Sequence, residues 1–185
     1  MSAGYSPEHD ELRQVVREFL EQRSPSREVR RLIEAGEGRD DEVWAMLAGQ
    51  LGLSGIAVPT RYGGAGCGPV ELGIVLEEMG HALLVAPYFS TVVLAGQVLA
   101  GSGDEDAMAR WLPGIADGSV TAALAVAEES GSWDLAEITA AAEPAGDGWT
   151  VSGSKLYVVD GHTADFLLVV APLPRLNQTA DLTAW

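Results

Sequence analysis

Lys155 is the only lysine in a chain of 185 residues that carries ten arginines. It lies in "WTVSGSKLYVVDGHTADFLLVV", residues 149–170, between strand-like runs and beside a tyrosine. A lysine in that place can serve as a catalytic amine, a phosphate ligand or the solvated end of a hairpin, because its ammonium is a compact charge on a flexible stem. A second candidate is the glycine-rich "RYGGAGCG", residues 61–68. A dinucleotide fingerprint needs G-x-G-x-x-G opening a helix, and a phosphate loop ends in G-K-[ST]. The spacing here satisfies neither, so the stretch reads as a tight connector. Glu77 and Glu78 are adjacent on a helical run, and their side chains diverge by about a hundred degrees. They cannot face one substrate as an acid/base pair; helix solvation or an internal salt bridge is the expected role. His9, His81 and His162 have no metal-ligand spacing, and no G-x-S-x-G elbow occurs. Neither a metal site nor a Ser/His/Asp triad is expected.

The elements that must position these residues change character along the chain. Ser6-Pro7 is a helix start, and Leu12, Val15, Val16, Phe19 and Leu20 after it form one apolar stripe. Ser24-Pro25 restarts a second helix, which ends in "EAGEG", and a third begins near Asp40. Gly68-Pro69 opens a helix expected to stop at Gly80, followed by helices over about 88–100 and 104–112. From Val120 the segments become short and β-like: "VTAALAVA", "AEITAAAEP", "GWTVSG", "KLYVVDG" and "DFLLVVAP". Turn dipeptides separate them. The fold class is α+β: an all-α helical bundle over 1–118, then an incomplete antiparallel β-barrel-like domain over 119–185. Four or five strands with a ragged end after Pro172 leave an open sheet edge, which either another chain covers or which marks a fragment.

Acidic residues outnumber basic ones 27 to 11, a net charge of −16. Such a surface repels nucleic-acid phosphates and anionic membranes. No run is apolar enough to cross a bilayer, no basic n-region opens the chain, and a lone Cys67 allows no internal disulfide. A soluble, cytoplasmic protein is expected.

Four stretches, in order and spacing, resemble the N-terminal half of the acyl-CoA dehydrogenases. "ELRQVVREFLEQR" is similar to the family's opening helix. "LAGQLGLSGIAVPTRYGGAGCGPVELGIVLEEMGHA" resembles its G-L-x-x-x-x-x-P-x-x-x-G-G-x-G block and the helix ending in E-E-x-G. "MARWLPGIADGSV" is like the linking helix and turn. "AALAVAEESGSWDLAEITAAAEPAGDGWTVSGSKLYVVDGHTADFLLVVAP" follows A-x-T-E-P-x-x-G-S-D, then T-x-A, then G-x-x-L-N-G-x-K-x-W-I-T-N-G-x-x-A-D.

The resemblance implies an FAD between the β domain and a C-terminal helical domain, an acyl-CoA substrate, an electron-transfer flavoprotein as electron acceptor, and a homo- or hetero-oligomer. It also implies removal of the Cα proton by a carboxylate and of the Cβ hydride by the flavin, giving a trans-2-enoyl-CoA. That carboxylate is expected beyond Trp185, so no catalytic residue is assigned, and Glu128 and Glu129 match no catalytic position. The flavin-contacting residues it implies are Leu124, Val126, Ala127, Ser132 and Trp133 in one segment and Tyr157, Val158 and Val159 in another. Trp133 is also the implied substrate contact. Glu128 and Asp134 match the pattern and Glu129 replaces its proline. Ala127 and Val159 stand where the pattern has threonines, and each lost hydroxyl contact costs about 0.5–1.5 kcal/mol. Lys155 falls on the lysine of G-x-K-x-W, which turns its expected role into positioning Tyr157, paired with Glu128 or Asp160. The alternative reading is a non-catalytic interaction subunit or remnant that binds a complete dehydrogenase through the open edge.

Overall fold

The computed structural model describes residues 5–36 and 38–173. Six α-helices come first: α1 (Pro7–Arg23), α2 (Ser26–Ala35), α3 (Asp41–Gly49), α4 (Pro69–Ala82), α5 (Gly96–Gly101) and α6 (Glu105–Ala116). A π-helix, Phe89–Ala95, runs directly into α5. Four strands follow: β1 (Ala122–Ala125), β2 (Ala141–Ala145), β3 (Gly148–Ser152) and β4 (Phe166–Val169).

Local chemistry explains where the helices begin. The Ser6 hydroxyl accepts from the His9 amide while the His9 ring accepts from the Ser6 amide, a reciprocal cap ahead of Pro7. Asp40 and Asp104 cap α3 and α6 one way only, each accepting an amide through one carboxylate oxygen. Two helices outrun their expected ends. The fourth passes Gly80 and stops at Ala82, where Leu83 adopts the left-handed conformation; a glycine weakens a helix by about 1 kcal/mol without ending it. The last passes Leu112 and Pro113 to Ala116, and the burial of Ile115 and Ala116 offsets the hydrogen bond that proline removes.

The glycine connector is a folded-back turn. The amides of Ala65, Gly66 and Cys67 donate to the carbonyls of Gly55, Val58 and Ile56 at 2.9 Å each. Those donors are therefore used within the chain instead of facing a phosphate. A Cβ on Gly64 would stand 2.1 Å from the Val58 carbonyl oxygen, so only glycine allows this approach.

Val16, Leu20, Trp44, Leu47, Val75 and Met79 fill a core between α1, α3 and α4. At its edge Glu78 is only 3% exposed and accepts from Arg13 at 3.0 Å and from two nitrogens of Arg17 at 2.8 Å each. This is the internal salt bridge foreseen for the adjacent pair; Glu77 lies outside and meets only Arg13 among the bonds described. A second core joins Leu99, Leu112 and Ile115 to Ala122, Leu124, Val126 and Leu168, so it runs across the expected boundary at 118/119. Trp111 stacks on Phe166 with ring centres 4.3 Å apart.

The β region departs from the antiparallel expectation. β2 and β3 form an antiparallel hairpin, but β1 and β4 pair in parallel, Ala122 opposite Phe166 through Ala125 opposite Val169. Parallel pairing needs a long crossover, and residues 126–165, hairpin included, provide it. The sheets stay open, as expected. "KLYVVDG" is not a strand: Tyr157 and Asp160 sit at φ 56° and 55°, and a strand cannot continue through the left-handed region. The expected ragged end after Pro172 lies, from residue 174 onward, outside the described residues. No helix among the described residues is long and apolar enough to cross a membrane.

Candidate functional site

Two chain segments lie side by side at the open end of the β region. One leaves β1 through Val126, Ala127 and Glu128 into the turn Ser130–Asp134; the other is the stretch Lys155–Val159 between β3 and β4. The Leu156 amide donates to the Ala127 carbonyl at 2.8 Å and ties them together. The Tyr157 ring reaches over Gly131, with its Cε2 3.8 Å from where a Cβ on that glycine would stand.

A charged clamp holds the junction. Glu128 accepts from the Thr139 amide at 2.8 Å and its hydroxyl at 2.5 Å, from the Ala140 amide at 2.9 Å, and from Lys155 Nζ at 2.9 Å. Lys155 also donates to the Val126 carbonyl at 2.9 Å. Charge-assisted bonds of this kind are the strong ones, and here they pin three separated segments to one carboxylate. The Thr139 hydroxyl, then Lys155 and the two amides, pull the Glu128 carboxyl from 4.5 down to about 2. A carboxylate so stabilised is a poor base, in keeping with its place in structure and not in proton transfer. Lys155, with its ammonium committed to two acceptors and its side chain 9% exposed, is no free amine.

The implied contact residues divide into two groups. Leu124, Val126 and Ala127 are buried, and Leu124 and Val126 pack into the second core, so their side chains face inward. Trp133 and Tyr157 are 56% and 76% exposed, and Val159 is exposed as well. Val158 is half-buried. Ser132 is half-buried on the turn, where its hydroxyl accepts from the Asp134 amide and keeps its own proton to donate. The structure therefore brings 126–133 and 155–159 together, but as an outer rim of aromatic side chains over an inner layer of alanine and valine. Leu156, exposed beside Tyr157, was not among the expected residues. Nor was Ser90, whose hydroxyl, on the π-helix, donates to Asp160 at 2.6 Å. The Asp160 partner open to Lys155 is thus taken by Ser90, and Glu128 is the one Lys155 meets. Thr139, the threonine of T-x-A, carried a sequence signal for its bond to Glu128; Ser90 carried none.

Among the described residues no group of three His, Cys, Asp or Glu side chains could hold a metal ion. His9 instead pairs with Glu71 at 2.8 Å.

Comparison with known proteins gives this geometry its context. Residues 6–119 match the model of the acyl-CoA dehydrogenase N-terminal domain. Acyl-CoA dehydrogenase FadE12 of Mycobacterium tuberculosis is 40% identical over 132 residues, which are 70% of this chain and 33% of that protein. The solved Tcur3481-Tcur3483 steroid ACAD is 30% identical with a TM-score of 0.78, covering 96% of this chain and 46% of the other. The ChsE4-ChsE5 complex from Mycobacterium tuberculosis is 28% identical with a TM-score of 0.82, covering 94% and 46%. The chain thus spans less than half the length of each protein it resembles here.

Proposed function

The chain belongs to the acyl-CoA dehydrogenase family, and from that premise we propose that it forms the N-terminal and central part of an FAD-dependent enzyme that converts an acyl-CoA thioester to a trans-2-enoyl-CoA. The observation that carries this reading is the rim: Trp133 and Tyr157 exposed on two clamped segments, with Gly131 leaving room beside the Tyr157 ring. Large exposed aromatic faces on a rigid support suit a planar ring system, which stacks on them at little entropic cost.

The residues present fit a flavin in kind. Tyr157, Leu156 and Val159 offer an apolar and aromatic face, and the Ser132 hydroxyl, with its proton uncommitted, offers a donor on the same rim. That donor offsets part of what Ala127 and Val159 lose relative to threonine. When bound, FAD supplies the acceptor for the hydride that leaves the acyl Cβ. The chain's own part is to bind and orient. Its clamp holds the rim still, and Trp133 lies at the edge where the acyl thioester would pass. The Cα proton goes to a carboxylate of a C-terminal helical domain; Glu128 is already saturated with donors. The proposed electron-accepting partner is an electron-transfer flavoprotein, and the protein would work in the cytoplasm as an oligomer.

A second reading is favoured by Val151 and Leu167, large apolar residues exposed on open sheets, with Leu156 exposed on the stretch between β3 and β4. In it the chain is a non-catalytic subunit that docks on a complete dehydrogenase. One preparation separates the two. Purified protein that keeps a flavin absorbance band through gel filtration supports the first. Colourless protein that acquires no flavin, alone or with excess FAD, rejects it.

A further inference from the structure

Residues 155–160 hold two left-handed positions three residues apart. Aspartate visits that region often, because its short polar side chain finds local partners. Tyrosine does not, and a bulky residue there needs its surroundings to hold it. Tyr157 is 76% exposed, so little packing on its own ring can do so. The restraint comes from the residues on either side. Two positions before it, Lys155 is fastened to Glu128 and to the Val126 carbonyl, both at 2.9 Å. Three positions after it, Asp160 accepts from the fully buried Ser90 at 2.6 Å. Ser90 itself is set by the π-helix, whose next residue, Thr91, bonds both backbone groups of Ala122 at the start of β1.

We propose that the Lys155–Glu128 and Ser90–Asp160 pairs are positioning residues that together hold the Tyr157 ring in one outward orientation, as a platform for a planar ligand ring. One end of the platform is then built on the β region and the other on the helical region, so the π-helix helps to set the ring-binding face. The identity of the ligand as flavin rests on the reading above; the anchoring does not. A π-helix interrupts regular helical packing and is frequent at functional sites. Here it brings Ser90 under the 157–163 turn.

The test uses the full chain labelled with 3-fluorotyrosine, whose four tyrosines give four fluorine resonances. Tyr157→Phe identifies the Tyr157 line by its loss. Asp160→Ala and Lys155→Met should each move that line toward the position of free 3-fluorotyrosine. Asp160→Asn, which keeps an acceptor and tolerates the left-handed region, and Lys155→Arg, which keeps the charge, should leave it near the wild-type position. The lines of Tyr5 and Tyr62 serve as controls and stay put. In protein that binds FAD, the dissociation constant should rise about tenfold in the first pair and stay within about twofold in the second. A Tyr157 line that is unmoved in both Asp160→Ala and Lys155→Met overturns the proposal. If wild-type protein binds no FAD, the flavin reading fails by itself, and the fluorine lines still decide the anchoring. Asp160 lies on a half-buried turn, so its variants provide a folded sample should Lys155→Met not fold.

Discussion

The helical and β regions bury different things. Between α1, α3 and α4 the buried side chains are large: Leu20, Leu47, Trp44, Val75 and Met79. Beyond residue 120 they are mostly alanines, Ala122, Ala123, Ala125, Ala127, Ala140, Ala142 and Ala171, while Trp133, Val151, Leu156, Tyr157 and Leu167 face outward. The same inversion holds for charge. Glu78 sits at a helical core's edge and is met by two arginines; Glu128 fastens loops together and is met mainly by backbone amides, a hydroxyl and one lysine. The difference teaches that α1, α3 and α4 bury their large side chains among themselves. The β region is instead a wall that leans on α5 and α6 for its core and turns many of its aromatic and larger aliphatic side chains outward. Small residues behind the wall let its backbone segments pack closely, and the clamp supplies the rigidity that a larger core would otherwise give.

If that contrast is right, the largest loss of stability should come from the helical core. Leu47→Ala empties a fully buried site and should cost about 3 kcal/mol, read from the urea midpoint. A cost below about 1 kcal/mol would mean that this core is not what holds the protein together. Glu78→Ala should come next, at about 2 kcal/mol, because it removes the buried carboxylate that two arginines share and leaves the half-buried Arg13 with Glu77 alone. The more exposed Arg17 can turn to water, which keeps the cost at the low end.

Glu128→Gln should cost less and should show its pH dependence more clearly. The carboxyl is shifted downward on folding, from 4.5 to about 2, so its ionised form stabilises the native state. That contribution is complete above about 4.5 and is lost as pH falls toward about 2. The difference in urea midpoint between wild type and Glu128→Gln should therefore be constant from pH 7 to about 5 and shrink below it. A difference that grows on acidification would contradict the clamp. The smallest effect, and one of opposite sign, is expected for Tyr157→Gly. It relieves a left-handed tyrosine at little loss of packing and should leave stability unchanged or raise it by up to about 1 kcal/mol, while weakening ring binding.

The two regions also differ in how far they could be read beforehand. Helices were legible because their stripes and caps are local: Val16 and Leu20 recur at helical spacing, and Ser6-Pro7 announces the start. Their ends were less so, since Gly80 only weakens its helix, and at Pro113 the burial of Ile115 and Ala116 overrode the stop signal. In the β region the alternating "KLYVV" looks like a strand, and nothing local reveals left-handed turns at Tyr157 and Asp160. The parallel pairing of β1 with β4 depends on residues far apart in the chain. Lys155 meeting Glu128 was foreseeable from a lone lysine in a recognisable pattern. Ser90 meeting Asp160 across 70 positions was not, because a serine in an apolar helix carries no sign of its partner.

The most direct test of the wall as a ring-binding face is equilibrium dialysis of FAD against wild-type protein and Tyr157→Ala, each first shown to be folded by its urea transition. Saturable binding by the wild type, weakened at least about tenfold in Tyr157→Ala at unchanged stability, is the expected result. Equal FAD affinity in the two proteins, or none in either, would contradict the assignment of this face.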